Sequence, residues 1–272
     1  MSEPQSGGRR RARLAPGALA VAAVLASVLL VVLARTPRAR AAVVTAEGAL
    51  PNGALDPRRV DALLAAVRGT GPVACELAVR TVSGRNWNGR GGDPTSADTA
   101  ARSLVDDVVT MNADASSVPS LRAALGDADA CVRRVAAPLL GRVDDQAATD
   151  ALLAALRDAS APTRVAGATG LAYGGRRRAA AARDPLVAAL RDADAGVRAA
   201  SAWALGQLRV PGTTPLLVAA LRDRDAAVRR AVAVALGSLE DAAAVDALVA
   251  ALRDDADPLV RQAAAWALGQ IK

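Results

Sequence analysis

The 272 residues contain no His, two Cys and a single Lys, and that inventory narrows the chemistry before any fold is considered. Without His there is no Ser-His-Asp triad, no Cys-His pair and no imidazole ligand for zinc. Cys75 and Cys131 cannot build a four-thiolate metal site. No Gly-rich nucleotide-binding motif occurs, so no catalytic, cofactor-binding or metal-binding residue is assigned. The acids fall mainly where a helix begins, as in Asp129, Asp194, Asp225 and Asp257, each followed four residues later by an Arg (Arg133, Arg198, Arg229, Arg261). An acid at a helix start and an Arg one turn on suit the helix dipole and an i, i+4 pair. Their recurrence points to a structural charge ladder between repeats, not to an acid–base pair.

The elements that carry these residues recur. Leu125, Leu156, Leu190, Leu221 and Leu252 lie 31, 34, 31 and 31 residues apart, a period that marks a solenoid. Three extra residues in one interval fall at Gly174 to Arg178 and read as a longer loop. The clearest units are LRDADAGVRAASAWALGQL (190–208), LRDRDAAVRRAVAVALGSL (221–239) and LRDDADPLVRQAAAWALGQI (252–271). Asp184-Pro185, Thr214-Pro215 and Asp257-Pro258 each place a capping oxygen before a Pro suited to the first helical position. In the second helix of a unit, Val197, Ala200, Ala204, Leu205 and Leu208 share one stripe, with Gly206 in the last turn. Ser160 replaces the acid before Arg164, Ala172 replaces the Gly, and Pro138 should kink the helix around it. Upstream, 56–68 and 71–85 read as one more helix pair, followed by a turn-rich loop at 83–96 and an added helix near 97–111.

These units resemble HEAT repeats, in particular the short HEAT-like units of phycobilisome lyases and many bacterial proteins, most clearly over 115–272. The resemblance implies an all-α fold: a right-handed α-solenoid of about six stacked helix pairs over 56–272. It also implies that the second helices line the concave surface. With Val197 as origin and 100° per residue, Trp203 lies about 120° off the core stripe. Trp266 is its equivalent two units on. Gln207, Arg230, Gln262, Gln270 and Tyr173 share that outward face, so Tyr173, Trp203, Gln207, Arg230, Gln262, Trp266 and Gln270 form the candidate protein-binding stripe. Trp and Arg are enriched in binding hot spots. The other reading has the Trp rings folding over Ala-rich neighbours to fill gaps.

The formal charge is +7, but seven Arg against the single acid Glu3 place +6 of it in the first 40 residues. The body is close to neutral, so nucleic acid is not the expected partner. Residues 14–34 carry no charge and only Ser27 as a polar side chain. As a helix they would span about 31 Å, matching a hydrocarbon core of about 30 Å. They are read as a single transmembrane helix, a signal anchor between a basic tail (1–13) and a linker (35–55), with the lipid bilayer as its partner. A cleaved signal peptide is the alternative. Four Arg before the span and three after place the N-terminus inside, at a bacterial inner membrane, with the repeat domain extracytoplasmic. An exported domain would allow Cys75 and Cys131 to pair, although the helix near 97–111 stands between them. Arg176, Arg177, Arg178 and Arg183 read as a solvated loop, with phosphate binding as the sharper alternative. The functional expectation is a non-catalytic, membrane-anchored scaffold that binds an unidentified protein; a bilin lyase subunit is the alternative the resemblance brings.

Overall fold

In each clear unit a local rule starts the second helix: an Asp in extended backbone turns its carboxylate back onto the first free N–H groups. Asp129 accepts from the amides of Cys131 and Val132, Asp194 from Val197, Asp225 from Ala227, and Asp257 from Leu259 and Val260. Such a cap contributes about 1 kcal/mol. The computed structural model describes residues 54–83 and 112–271, all within one unit of the chain. The transmembrane reading of 14–34, the basic tail, most of the linker, Trp87 with its loop, and the added helix near 97–111 lie outside them. Among the described residues no helix is long and apolar enough to cross a membrane.

Among the described residues six helix pairs follow one another: α1 (Pro57–Val67) with α2 (Pro72–Ser83), α3 (Val118–Leu125) with α4 (Ala130–Arg142), and α5 (Gln146–Ala155) with α6 (Ala161–Ala172). They continue as α7 (Ala179–Ala189) with α8 (Ala195–Gln207), α9 (Thr214–Ala220) with α10 (Ala226–Leu239), and α11 (Val245–Asp254) with α12 (Pro258–Gln270). The second helices α4, α6, α8, α10 and α12 pack side by side, each also against its own first helix. A core of Leu121, Leu140, Leu152, Leu171, Leu186, Leu205, Leu217, Leu236 and Leu248 runs through the stack. One short parallel pair, β1 (Ala54–Leu55) with β2 (Asn112–Ala113), ties the end of the expected linker to the residues before α3.

Glycines set the spacing between second helices. A Cβ on Gly206 would stand 2.5 Å from Ala235 Cα, and one on Gly237 would stand 2.7 Å from Ala267 Cα. Backbones this close exclude any side chain at the crossing.

The Arg of each unit is where structure and sequence reading differ. Its carboxylate partner is not the Asp four residues before it, which is occupied as an N-cap. Arg198 instead directs Nε and Nη2 to both oxygens of Asp223 in the next unit, at 2.7 and 2.9 Å. Arg164 holds Asp192 and Arg229 holds Asp255 in the same forked way. The remaining nitrogen, Nη1, donates to carbonyls of the Arg's own turn, Asp192 and Ala193 for Arg198. Each Asp also accepts from the amide of its own unit's N-cap residue, as Asp223 does from Asp225. The ladder is inter-repeat as expected, but its acids are Asp192, Asp223 and Asp255. The ladder has one gap: among the described residues no ion pair joins Arg133 to Asp158.

Other local expectations yield to packing. Pro185 lies inside α7, not at its start, because the chain begins that helix at Ala179 and Asp184 does not cap it. Thr213, not Thr214, occupies the N-cap position of α9, while the Thr214 hydroxyl donates to Asp241 at 2.6 Å. Helix α4 is continuous through Pro138 from Ala130 to Arg142. Residues 176–178 form a 3-10 turn in which Arg178 is 6% exposed and donates to the carbonyls of Gly141 and Val143. Arg177 pairs with Asp144. Arg178 therefore closes the end of α4, at the junction where the ladder is broken, while Arg176, Arg177 and Arg183 remain exposed. Burial pulls the Arg178 guanidinium below its ordinary value, and Arg177 adds to the shift.

Two sets of measurements follow from this packing. Leu205→Ala and Leu236→Ala should each cost about 2–5 kcal/mol in urea unfolding. Gly206→Ala should cost about 1–3 kcal/mol despite the better helix propensity of Ala. Gly269→Ala, where a Cβ meets nothing within 4 Å, should be neutral or stabilising by up to about 1 kcal/mol. Equal responses at Gly206 and Gly269 would contradict the close helix approach. The forks of Arg164, Arg198 and Arg229 hold Asp192, Asp223 and Asp255 below the usual carboxylate range. Their contribution is complete above the unfolded value near pH 4 and is lost as pH falls through the lower folded values. The urea midpoint should drop as pH falls below the ordinary carboxylate value of about 4. Replacing the three Asp by Asn should flatten that slope while lowering stability at neutral pH.

Candidate functional site

Because the second helices lie side by side in register, positions at a fixed distance from each N-cap form columns across the stack. Nine residues after the caps stand Pro138, Thr169, Trp203, Val234 and Trp266; thirteen after stand Arg142, Tyr173, Gln207, Ser238 and Gln270. Arg230 and Gln262 share a third column, five residues after their caps. All seven residues of the expected stripe thus lie on one side of the second-helix layer, away from the core positions.

The structure brings them together in two groups. Tyr173, at the end of α6, meets Trp203 of α8 edge to face, with ring centroids 5.8 Å apart and planes at 61°. The Arg142 guanidinium sits over the Tyr173 ring, 5.7 Å from its centroid. The aromatic pair contributes about 0.5–1.5 kcal/mol beyond its buried area. Both rings are half-buried, and Trp203 packs against the core. Arg142 was not among the expected stripe residues, although it stands 31 residues before Tyr173, one full period.

The second group surrounds Trp266. Its Cζ3 lies 2.8 Å from where a Cβ on Gly237 would be, so the indole rests on the backbone of α10. Beside it is a pocket of about 140 Å³ lined by Gln207, Ser238, Arg209, Glu240 and Gln270 among others. The half-buried amides of Gln207 and Gln270 have no hydrogen-bond partner among the described residues. An amide carries two donors and two acceptor lone pairs, so each side chain offers bonds to whatever covers it. Arg230 is exposed and Gln262 half-buried, and neither meets a polar partner among the described residues. Both Trp rings are half-buried and pack against the core without being fully covered.

Arg209 and Glu240 were missed by the sequence reading. Each follows the C-terminus of a second helix in left-handed backbone, φ 49° and 57°, a conformation usually left to Gly. They form an ion pair across the junction. Their 31-residue separation directly after Leu208 and Leu239 is the signal that would have found them. A second pocket, about 420 Å³, opens among the loops beside Arg176, Leu208, Arg209, Val210, Thr214 and Asp241. Among the described residues no group of three or more Cys, Asp or Glu could hold a metal ion.

Cys75 of α2 and Cys131 of α4 form a disulfide with Cα atoms 5.6 Å apart. Both lie near the starts of helices that pack together. Arg134 adds an ion pair to Glu76 at 2.6 Å, and Arg68 grips Asp127 with two bonds.

Residues 183–269 match the HEAT repeat family. No match was found among curated proteins. Among solved structures, the chain is similar to one in the complex of CpcE and CpcF of phycocyanin lyase from Nostoc sp. PCC7120, at 29% identity and TM-score 0.44 over 57% of this chain. It spans 65% of that chain's length. A designed armadillo repeat protein in complex with peptide (KR)4 is 20% identical, with TM-score 0.43 over 79% of this chain and 99% of the design. Human deoxyhypusine hydroxylase in complex with glycerol is 21% identical, with TM-score 0.39 over 93% of this chain and 97% of the enzyme. Residues 183–269 thus carry HEAT repeats, and helix pairs stack in a similar, HEAT-like manner before them.

Proposed function

We propose that this protein is a membrane-anchored scaffold that captures another protein on the outward stripe of its second helices and performs no chemistry of its own. The observation that carries the reading is the conjunction of half-buried Trp266 with the solvent-facing amides of Gln207 and Gln270 in one small pocket. A side chain with an apolar body and a neighbour with open hydrogen bonds is what a partner's backbone and side chains can cover together. Tyr173 and Trp203 extend the surface, and Arg230 and Gln262 border it. In the right-handed solenoid that the HEAT resemblance implies, this is the concave side.

Support for the location comes from two independent features. Residues 14–34 have the length and purity of a membrane span with Arg on both flanks. The Cys75–Cys131 disulfide suits an oxidising compartment outside the cytoplasm. In this reading the anchor holds the array at the outer side of a bacterial inner membrane.

Replacing Trp203 and Trp266 together by Ala should reduce partner capture from detergent-solubilised membranes at least tenfold, with an unchanged far-UV circular dichroism spectrum. Retained capture would remove the stripe from consideration. Incubation with a bilin should leave the pigment's visible spectrum unaltered, and covalent attachment would instead establish lyase activity. For the location, deletion of residues 14–34 should move the chain from the carbonate-washed membrane pellet to the supernatant. Protein taken directly from cells should show no alkylatable thiol until it is reduced; two reactive thiols before reduction would argue for a cytoplasmic domain.

A further inference from the structure

The first helices repeat a charge pattern that neither the core nor the stripe uses. It reads DALLAALR (150–157) at α5, DPLVAALR (184–191) at α7 and DALVAALR (246–253) at α11; α9 has PLLVAALR (215–222), with Pro in place of the acid. The third residue of each, Leu152, Leu186, Leu217 or Leu248, is fully buried. The two ends lie on the opposite side of the helix, where Asp150, Asp184 and Asp246 are exposed, as are Arg157, Arg191, Arg222 and Arg253. Arg157, Arg191 and Arg222 continue the helical turn, donating their amides to the carbonyls three residues back. Seven residues make two turns, so acid and Arg share one side about 10 Å apart.

Among the described residues no ion pair engages these four Arg or Asp246. Asp184 pairs only with its exposed neighbour Arg183, and Asp150 accepts from the Gln146 amide. Between the charges the surface is apolar: Ala154, Ala188, Ala219 and Ala250 are exposed, and Val249 is 37% exposed. The helix dipole accounts for an acid at one end and an Arg at the other. It does not account for the centre, where a helix face turned to water ordinarily carries polar side chains. Stacking turns the pattern into an acid row and an Arg row that run parallel along the array with an apolar band between them.

We propose that this outer face of the first helices binds a second copy of the chain. A two-fold axis running along the array, midway between the rows, reverses the helices of the second copy and lays each acid row on the other copy's Arg row. Helices α5, α7 and α11 then each face their own counterpart antiparallel, with Asp184 of one copy against Arg191 of the other and the reverse pair formed as well. The midpoint between Asp and Arg falls at the fourth and fifth residues, so the aliphatic residue and Ala meet on the axis. An isologous interface needs a surface that matches itself, and this pattern does so in both charge and shape. A partner of one sign, such as a polyphosphate backbone or an anionic bilayer, would set the acid row against like charge. The face is separate from the stripe on the second helices and does not depend on what that stripe binds.

The test follows the full chain in detergent micelles by sedimentation velocity over a concentration series. One variant carries Asp150→Arg, Asp184→Arg and Asp246→Arg; the other carries Arg157→Asp, Arg191→Asp and Arg253→Asp. The unaltered chain should dimerise, and each variant alone should dimerise about tenfold more weakly or worse, because like charges then face each other. An equimolar mixture of the two variants should recover association as a heterodimer, since opposite charges meet again in both rows. Recovery on mixing also shows that neither variant lost its fold. In membranes, Ala188→Cys on the axis should form a covalent dimer under mild copper oxidation, which joins two thiols as a disulfide. Ala256→Cys, at an exposed turn away from the axis, should not. A monomeric unaltered chain, variants that associate as well as it does, or a mixture that stays monomeric overturns the proposal. So does equal crosslinking at the two cysteine positions.

Discussion

The guanidinium of Arg198 reaches three places at once: two carbonyls of its own turn, and the carboxylate of Asp223 in the next unit. A single HEAT-like pair cannot bury both of its faces, so everything else in the fold depends on how firmly one pair seats on the next. The fork defines that seating in distance and in angle, because a planar guanidinium accepts a carboxylate only edge to edge. Hydrophobic burial supplies most of the driving force, but Leu and Ala surfaces alone would tolerate sliding. The Arg198 and Asp223 side chains are 7% and 13% exposed, so misalignment by one residue would leave two largely dehydrated charges unpaired. The charges at these turns are thus mostly internal bookkeeping of the stack, and they cancel, which is why the body is nearly neutral.

Where this joint is missing, other chemistry takes its place. Between the second and third pairs Arg133 has no carboxylate across the junction, and Arg177 and Arg178 reach back from the longer turn to hold the end of α4. Between the first and second pairs the Arg comes from the loop after α1, and Cys75 and Cys131 add a covalent bond. A chain-entropy argument gives a bond closing a loop of this length about 4 kcal/mol. That is a large share of the stability of an ordinary domain. The irregular first pair is thereby attached to a regular array that it does not match in sequence.

A stack built from Gly and Ala contacts leaves few large side chains for the outward side of the second helices. Those present therefore stand out physically as well as in composition. Trp266 packs against Gly237, and Trp203 meets Tyr173 edge to face, so each ring is positioned by a neighbouring repeat. Rings seated this way lose little further freedom on binding, which favours recognition by a rigid surface over one that must be ordered first. The left-handed Arg209 and Glu240 bring a charged pair to the same edge, where backbone strain is the local cost of placing it.

The repeat period, the mostly helical class, the capping Asp residues and the buried Leu columns were all legible in the amino-acid order. Each is a property of one helix or one turn, and helical periodicity encodes it within a few residues. Which acid receives each Arg was decided only in three dimensions. Asp194 and Asp223 are equally plausible neighbours of Arg198 on charge alone; the cap bond occupies the first, and the stacking distance delivers the second from 25 residues away. The same holds for Pro185 inside α7, Arg178 buried against α4, the Arg142–Tyr173–Trp203 line and the pairing of Cys75 with Cys131. All of them rest on contacts between units or on where a helix starts to meet one, and spacing along the chain carries no measure of how closely two units approach.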